Sequence, residues 1–105
     1  LDKNLNSLDS LKQISLSDNN ISKRKIKVSK NKMVKILYLH KNDLESLPRF
    51  VRKFKALEEI NLSQNSFDKL PMRLKKNKKL KIIKLNENPL IALQKQRNLK
   101  KQLIK

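Results

Sequence analysis

The 105-residue chain has no cysteine, no glycine, no tryptophan and a single histidine, and it carries only 9 acidic residues against 27 basic ones. Without cysteine there is no disulfide framework, no thiolate zinc site and no thiol nucleophile, and the redox compartment leaves no mark on the sequence. Without glycine there is no phosphate-cradling loop of the kind that brings backbone amides close to a nucleotide. His40 stands alone, and no serine lies in the strand-to-helix elbow that would make it the partner of a nucleophile. The adjacent Glu58 and Glu59 belong to an alternating segment and are expected on opposite faces, so they do not form an acid–base pair. These gaps point away from catalysis, and no catalytic residue, metal ion or cofactor is expected. No apolar run approaches the ~18 to 20 residues needed to cross a bilayer.

Aromatic residues are also scarce, at 4%, although 37% of the chain is hydrophobic. The length corresponds to one domain. The composition lacks the bulky side chains of a conventional small core but suits an aliphatic stack repeated along one axis.

What the sequence does have is a period. Leu11–Ile21, Val34–Leu44, Leu57–Phe67 and Leu80–Leu90 each begin 23 residues after the last and read LKQISLSDNNI, VKILYLHKNDL, LEEINLSQNSF and LKIIKLNENPL. All fit L-x-x-L-x-L-x-x-N-x-L, with aliphatic residues or one Phe in every apolar slot and Asn in every Asn slot. The alternation through Leu37, Tyr38, Leu39 and His40 is that of a half-buried strand, one side chain in and the next out. Four such strands would stack in parallel. Asn19, Asn42, Asn65 and Asn88 then form a structural ladder just after the strands, where buried amides can pair backbone groups that a turn leaves open.

This pattern resembles the leucine-rich repeat (LRR) family over essentially the whole chain. The second halves carry the resemblance too: Leu47, Pro48, Val51 and Phe54, and Leu70, Pro71 and Leu74, are similar to the L-P-x-x-L-x-x-L return of its 23-residue subclass. The resemblance implies an α/β fold, a right-handed solenoid with a short parallel sheet on its concave face and helical or 3₁₀ returns on its convex face. Apolar residues at three-residue intervals fit such turns independently. In the return after the first complete repeat, Arg24 and Lys25 stand where Leu-Pro is expected, and Ile26 alternates with Val28, so an extended stretch is expected there.

The expected organisation is a single LRR domain over 1–105. Residues 1–10 form an N-terminal partial repeat or cap, with Leu1, Leu5 and Leu8 in phase with Leu47, Val51 and Phe54. Repeats cover 11–33, 34–56, 57–79 and 80–90. Residues 91–105 form a C-terminal capping helix, with Leu90, Leu93, Leu99, Leu103 and Ile104 covering the open core. A monomer is expected. Some bacterial LRR proteins add a cysteine-dependent ligase domain, and this chain has neither the cysteine nor the length for one. The short, Lys-rich, Cys-free chain is similar to bacterial LRR proteins, including secreted ones of pathogenic spirochaetes that engage host surface proteins. The resemblance implies a protein partner such as a host cell-surface receptor, and a secreted or cell-surface location. Similar repeats in intracellular regulatory scaffolds leave a cytoplasmic role open.

Outward strand positions form rows in which a partner could be selected. One row holds Gln13, Ile36, Glu59 and Ile82, the next Ser15, Tyr38, Asn61 and Lys84, and the third Ser17, His40, Ser63 and Asn86. From these, Ile36, Tyr38, His40, Glu59, Asn61, Ile82 and Lys84 are the candidate partner-binding residues. Ile36 and Ile82 sit where the pattern does not require an apolar side chain, and Tyr38 offers rigid contact area with a polar tip.

Charge separates this face from the rest. Around the outward rows, Lys12, Lys35, Lys41, Lys81 and Lys84 balance Asp18, Asp43, Glu58, Glu59 and Glu87, which leaves 22 of the 27 basic and 4 of the 9 acidic residues elsewhere. The whole net charge of +18 therefore falls on returns, edges and ends. Lys30, Lys53 and Lys76 align at the repeat period, as do Lys32, Lys55 and Lys78, and these columns are the alternative site, for a polyanion such as a glycosaminoglycan or an acidic membrane headgroup. A genome-wide lean toward Lys accounts for the same excess. With no aromatic interleaving and no reading helix, specific nucleic-acid recognition is not expected.

Overall fold

The structure is a computed structural model that describes residues 12–21 and 26–94. The expected N-terminal cap, the Arg24–Lys25 departure and residues 95–105 of the expected C-terminal cap lie outside them. The described residues build a four-stranded, all-parallel sheet in the order β1 (Gln13–Ser15), β2 (Ile36–Tyr38), β3 (Glu59–Asn61), β4 (Ile82–Lys84). Gln13 pairs with Ile36, Ile36 with Glu59 and Glu59 with Ile82, so the register advances by the sequence period at every step. A one-residue slip would turn Leu37 and Ile60 outward, and their complete burial specifies the register.

Each strand is short because a left-handed turn follows it. Asp18, Lys41, Gln64 and Glu87 occupy equivalent positions with φ of 59°, 60°, 55° and 58°. Glycine would adopt this conformation freely, but the chain has none, so each residue bears the Cβ–carbonyl crowding that costs about 1–2 kcal/mol. The backbone ladder runs on past the strands into these turns, through Asp18 N–H to His40 O, Lys41 N–H to Ser63 O and Gln64 N–H to Asn86 O.

The asparagine after each turn offsets that cost. Asn65 is buried, and its amide nitrogen donates to Leu39 O and Leu62 O at 3.0 Å and to Ser63 O at 3.2 Å. Its Oδ1 accepts from Asn42 N–H and Leu44 N–H at 2.9 and 3.0 Å. Asn42 repeats the set one unit earlier, on Leu16, Leu39 and His40 carbonyls and on Asn19 and Ile21 amides. Asn88 donates to Leu62, Leu85 and Asn86 carbonyls and accepts from Phe67 N–H. Each of these three side chains thus joins its own turn to the turn before it.

Beneath the sheet one continuous apolar cluster contains Ile14, Leu16, Val34, Leu37, Leu39, Leu57, Ile60 and Leu62 from the strand segments, with Leu47, Phe50, Val51, Phe54 and Leu74 from the returns. Two returns contain five-residue 3₁₀ helices, Arg49–Lys53 and Met72–Lys76. Each follows a proline, Pro48 or Pro71, whose ring fixes φ at −59° or −76°. Three residues per turn eclipse i and i+3, and the bonds step accordingly: Val51 N–H to Pro48 O, Phe54 N–H to Val51 O, Leu57 N–H to Phe54 O. Val51 and Phe54 therefore both face the core. Over the described part of the first return, Ile26 and Val28 pack against the core while Lys27 and Ser29 are exposed, the alternation of an extended stretch.

Two expectations of burial fail at the far end. Leu70, the repeat equivalent of the buried Leu47, is 53% exposed, and Ile83, the equivalent of Leu37 and Ile60, is 45% exposed. Both belong to the last return or the edge strand, and among the described residues no further unit stacks beyond β4 to cover them.

Asn65→Ala is expected to cost about 3 kcal/mol or more in urea unfolding, because several buried backbone groups lose their partner at once. At the neighbouring turn the order of stability should be Gln64→Gly above wild type above Gln64→Val. Relief of the left-handed strain outweighs the added freedom of an unfolded glycine by roughly 0.5 kcal/mol, whereas a β-branched side chain aggravates it. Thermal melts of the two variants check the order.

Candidate functional site

The outward side chains of the sheet stand in the expected rows. Ile36, Glu59 and Ile82 are consecutive partners across β2, β3 and β4, and Tyr38, Asn61 and Lys84 are the next set. Ile36, Tyr38, His40, Glu59 and Asn61 are half-buried, while Ile82 and Lys84 are exposed. The Tyr38 and His40 rings meet edge to face, centroids 6.2 Å apart and planes at 88°, which fixes both in the middle of the face. His40 Nδ1 is enclosed without a hydrogen-bond partner among the described residues.

Two ion pairs lie on this side. Lys84 Nζ lies 3.7 Å from a Glu59 carboxylate oxygen, a diagonal contact between adjacent strands, and Lys35 lies 4.0 Å from Glu58 at the same repeat position one unit on. Asn61 Oδ1 accepts from Ser63 N–H at 3.0 Å and Ser15 hydrogen-bonds Ser17 at 3.1 Å. Glu58 and Glu59 each face a lysine rather than one another. The outcome is a neutral face with an apolar and aromatic centre at Ile36 and Tyr38.

The return side is different. Asn31 pairs with Phe54 in an isolated parallel bridge, through Asn31 N–H to Lys53 O and Lys55 N–H to Asn31 O, both 2.8 Å. In such a bridge the residues on either side point away from the paired ones. With Phe54 buried, Lys30 and Lys53, and Lys32 and Lys55, are neighbours on the solvent side. Asn77 continues the column, donating to Val51 O and Phe54 O at 3.2 Å, with exposed Lys76 and Lys78 beside it.

Sequence reasoning did not single out two features here. Asn31 and Asn77 share a repeat position with Phe54 and form a second, return-side set of buried amides, Asn31 Oδ1 accepting from Met33 and Val34 N–H. The 23-residue period contained that signal. Arg49, Arg52, Arg73 and Lys76 line one concavity with Leu47 and Pro48, and the three-residue spacing within each 3₁₀ helix was the clue to it.

Among the described residues there is no group of three or more His, Cys, Asp or Glu side chains able to hold a metal ion, and no helix long and apolar enough to cross a membrane. Comparison with protein-family models, with curated proteins and with solved structures gives no match for this chain.

Glu59→Gln should shift unfolding stability by less than about 1 kcal/mol, because the Glu59–Lys84 pair lies at the surface. Chemical denaturation checks this, and the same variant leaves a sheet face with one unpaired Lys for binding comparisons.

Proposed function

We propose that this chain is a leucine-rich-repeat solenoid of the 23-residue subclass and a non-enzymatic protein-interaction module. Its concave sheet face selects a protein partner, such as a host cell-surface protein. The observation that carries this is the registered outward face, in which Ile36, Tyr38 and His40 stand half-buried at the centre of a rigid, locally neutralised surface. Support for the solenoid comes from the constant register step, the turn column and the asparagine ladder, all at one period. The side chains are held before a partner arrives, which lowers the ordering cost of association. Four strands at ~4.8 Å spacing present less than the ~800 Å² that one partner contributes to a standard interface, so a sheet edge or the convex face joins the contact.

A second reading has its own observation. The Asn31–Phe54 bridge sets Lys30, Lys32, Lys53 and Lys55 side by side, and such a like-charged cluster is relieved by a polyanion. The binding energy of that site would fall steeply with salt.

The two are separated by one experiment. Immobilised protein is exposed to cell-surface extract and washed at low and then high salt, with a photo-crosslinking residue at position 38 or 53. The concave reading expects a protein that survives high salt, crosslinks from position 38, and loses about 2 kcal/mol or more of affinity with Tyr38→Ala or Ile36→Ser. Retention unchanged by both variants would remove that face from consideration. Complete elution by salt, with a slope flattened by neutralising Lys53, Lys55, Lys76 and Lys78, would move the site to the lysine columns.

A further inference from the structure

The chain uses Lys far more than Arg, 22 against 5, yet three of the five arginines line a single cleft. Arg49 and Arg52 lie three residues apart on the first 3₁₀ helix, and Arg73 and Lys76 lie three apart on the second. At three residues per turn each pair is eclipsed on one side of its helix. Both pairs open onto the same concavity, whose remaining lining is Leu47 and Pro48 and whose volume is about 180 Å³. No carboxylate lines it. None of the four cationic side chains has a hydrogen-bond or ion-pair partner among the described residues.

Four like charges gathered around one small cleft repel, and nothing in the apolar core requires them there. Their chemistry suits a tetrahedral oxyanion: guanidinium groups carry paired N–H donors that match its oxygens, which Lys does only as a point charge. At ~30 Å³ per water, the cleft has room for one such group with some solvent. The surroundings say what carries the group. Leu70 and Met72, 53% and 55% exposed, flank Pro71 at the start of the second helix, and Arg73 and Leu47 line both the cationic cleft and the adjoining depression that these two residues border and that Glu45 and Asp68 also line. An anion site contiguous with protruding apolar side chains fits a membrane surface, where the headgroup phosphate meets the cations and the apolar residues enter the headgroup boundary. A nucleic acid would call for exposed stacking platforms, whereas Phe50 and Phe54 on this return are buried.

We propose that the cleft between the two 3₁₀ helices binds a phosphate monoester presented on a lipid bilayer, with Arg49, Arg52 and Arg73 holding the phosphate and Leu70 and Met72 anchoring beside it. This site is separate from the sheet face and does not depend on what that face binds.

The test is flotation of the full chain with phosphatidylcholine vesicles containing phosphatidic acid, a phosphomonoester, or phosphatidylserine at matched surface charge. Binding should favour phosphatidic acid, and Arg49→Gln/Arg52→Gln/Arg73→Gln should weaken it by about thirtyfold or more, each Arg contributing near the surface. Lys12→Gln/Lys41→Gln/Lys81→Gln removes the same charge on the sheet side and should weaken it by less than about threefold, because those lysines do not face the bilayer. Equal losses in the two triple variants, or no preference for the monoester, would overturn the proposal in favour of diffuse charge. Leu70→Ser/Met72→Ser should lower vesicle binding while leaving the affinity for soluble glycerol phosphate unchanged. Glycerol phosphate bound as tightly as the vesicle would overturn the membrane source. Binding to heparin or to an oligonucleotide, with none to phosphatidic acid vesicles, would overturn the site's assigned ligand.

Discussion

The structure depends on the hydrogen bonding of buried asparagine side chains. A strand of three residues pairs few of its own backbone groups, and a chain that turns away so soon must satisfy the remainder in the interior, where an unpaired amide or carbonyl costs more than most single contacts supply. Asn42 and Asn65 solve this by donating to three carbonyls and accepting from two amides each. No aliphatic residue could do so, and aspartate would lack the donors. The left-handed residue just before each asparagine is the geometric requirement of the same turn. The strand length follows from it, and together with the burial of Leu37 and Ile60 it holds the register and the positions of the outward side chains.

Two surfaces of opposite character result. On the sheet side, ion pairs Lys84–Glu59 and Lys35–Glu58 cancel charge next to the Tyr38–His40 contact. On the return side, basic residues accumulate on a scaffold of 3₁₀ turns and the Asn31–Phe54 bridge. The field of such a molecule is strongest over the returns and weakest over the sheet, so the two sides differ in long-range electrostatics as well as in shape.

Much of this was legible in the sequence, because a 23-residue period fixes many things together. Once Leu37, Ile60 and Ile83 are aligned, the rows containing Ile36, Tyr38 and Lys84 follow, and so does the column of Asn42, Asn65 and Asn88. The Leu-Pro pairs Leu47–Pro48 and Leu70–Pro71 marked the 3₁₀ turns. The period does not tell where the stack ends, and burial depends on a neighbour as well as on a residue's own pattern. Leu70 and Ile83 obey the pattern and are exposed. The arginine cleft was hidden for a different reason: Arg49, Arg52 and Arg73 do not share a repeat position, and only the eclipsing of a 3₁₀ turn, known once the turn is seen, brings them together. Asn31 and Asn77 were overlooked because Phe54 interrupts their column.

The order of strands in the sheet is the order of strands in the chain, so among the described residues each strand pairs only with the one before and the one after it. A tandem duplication or loss of one whole period would therefore rejoin surfaces that already fit, with no distant contact to repair. The number of units then sets stability as well as length, since each added unit contributes its own packing and one more interface with its neighbour. A lineage could widen or narrow the sheet face by gain or loss of whole periods, without the compensating substitutions that a fold built on long-range contacts would require.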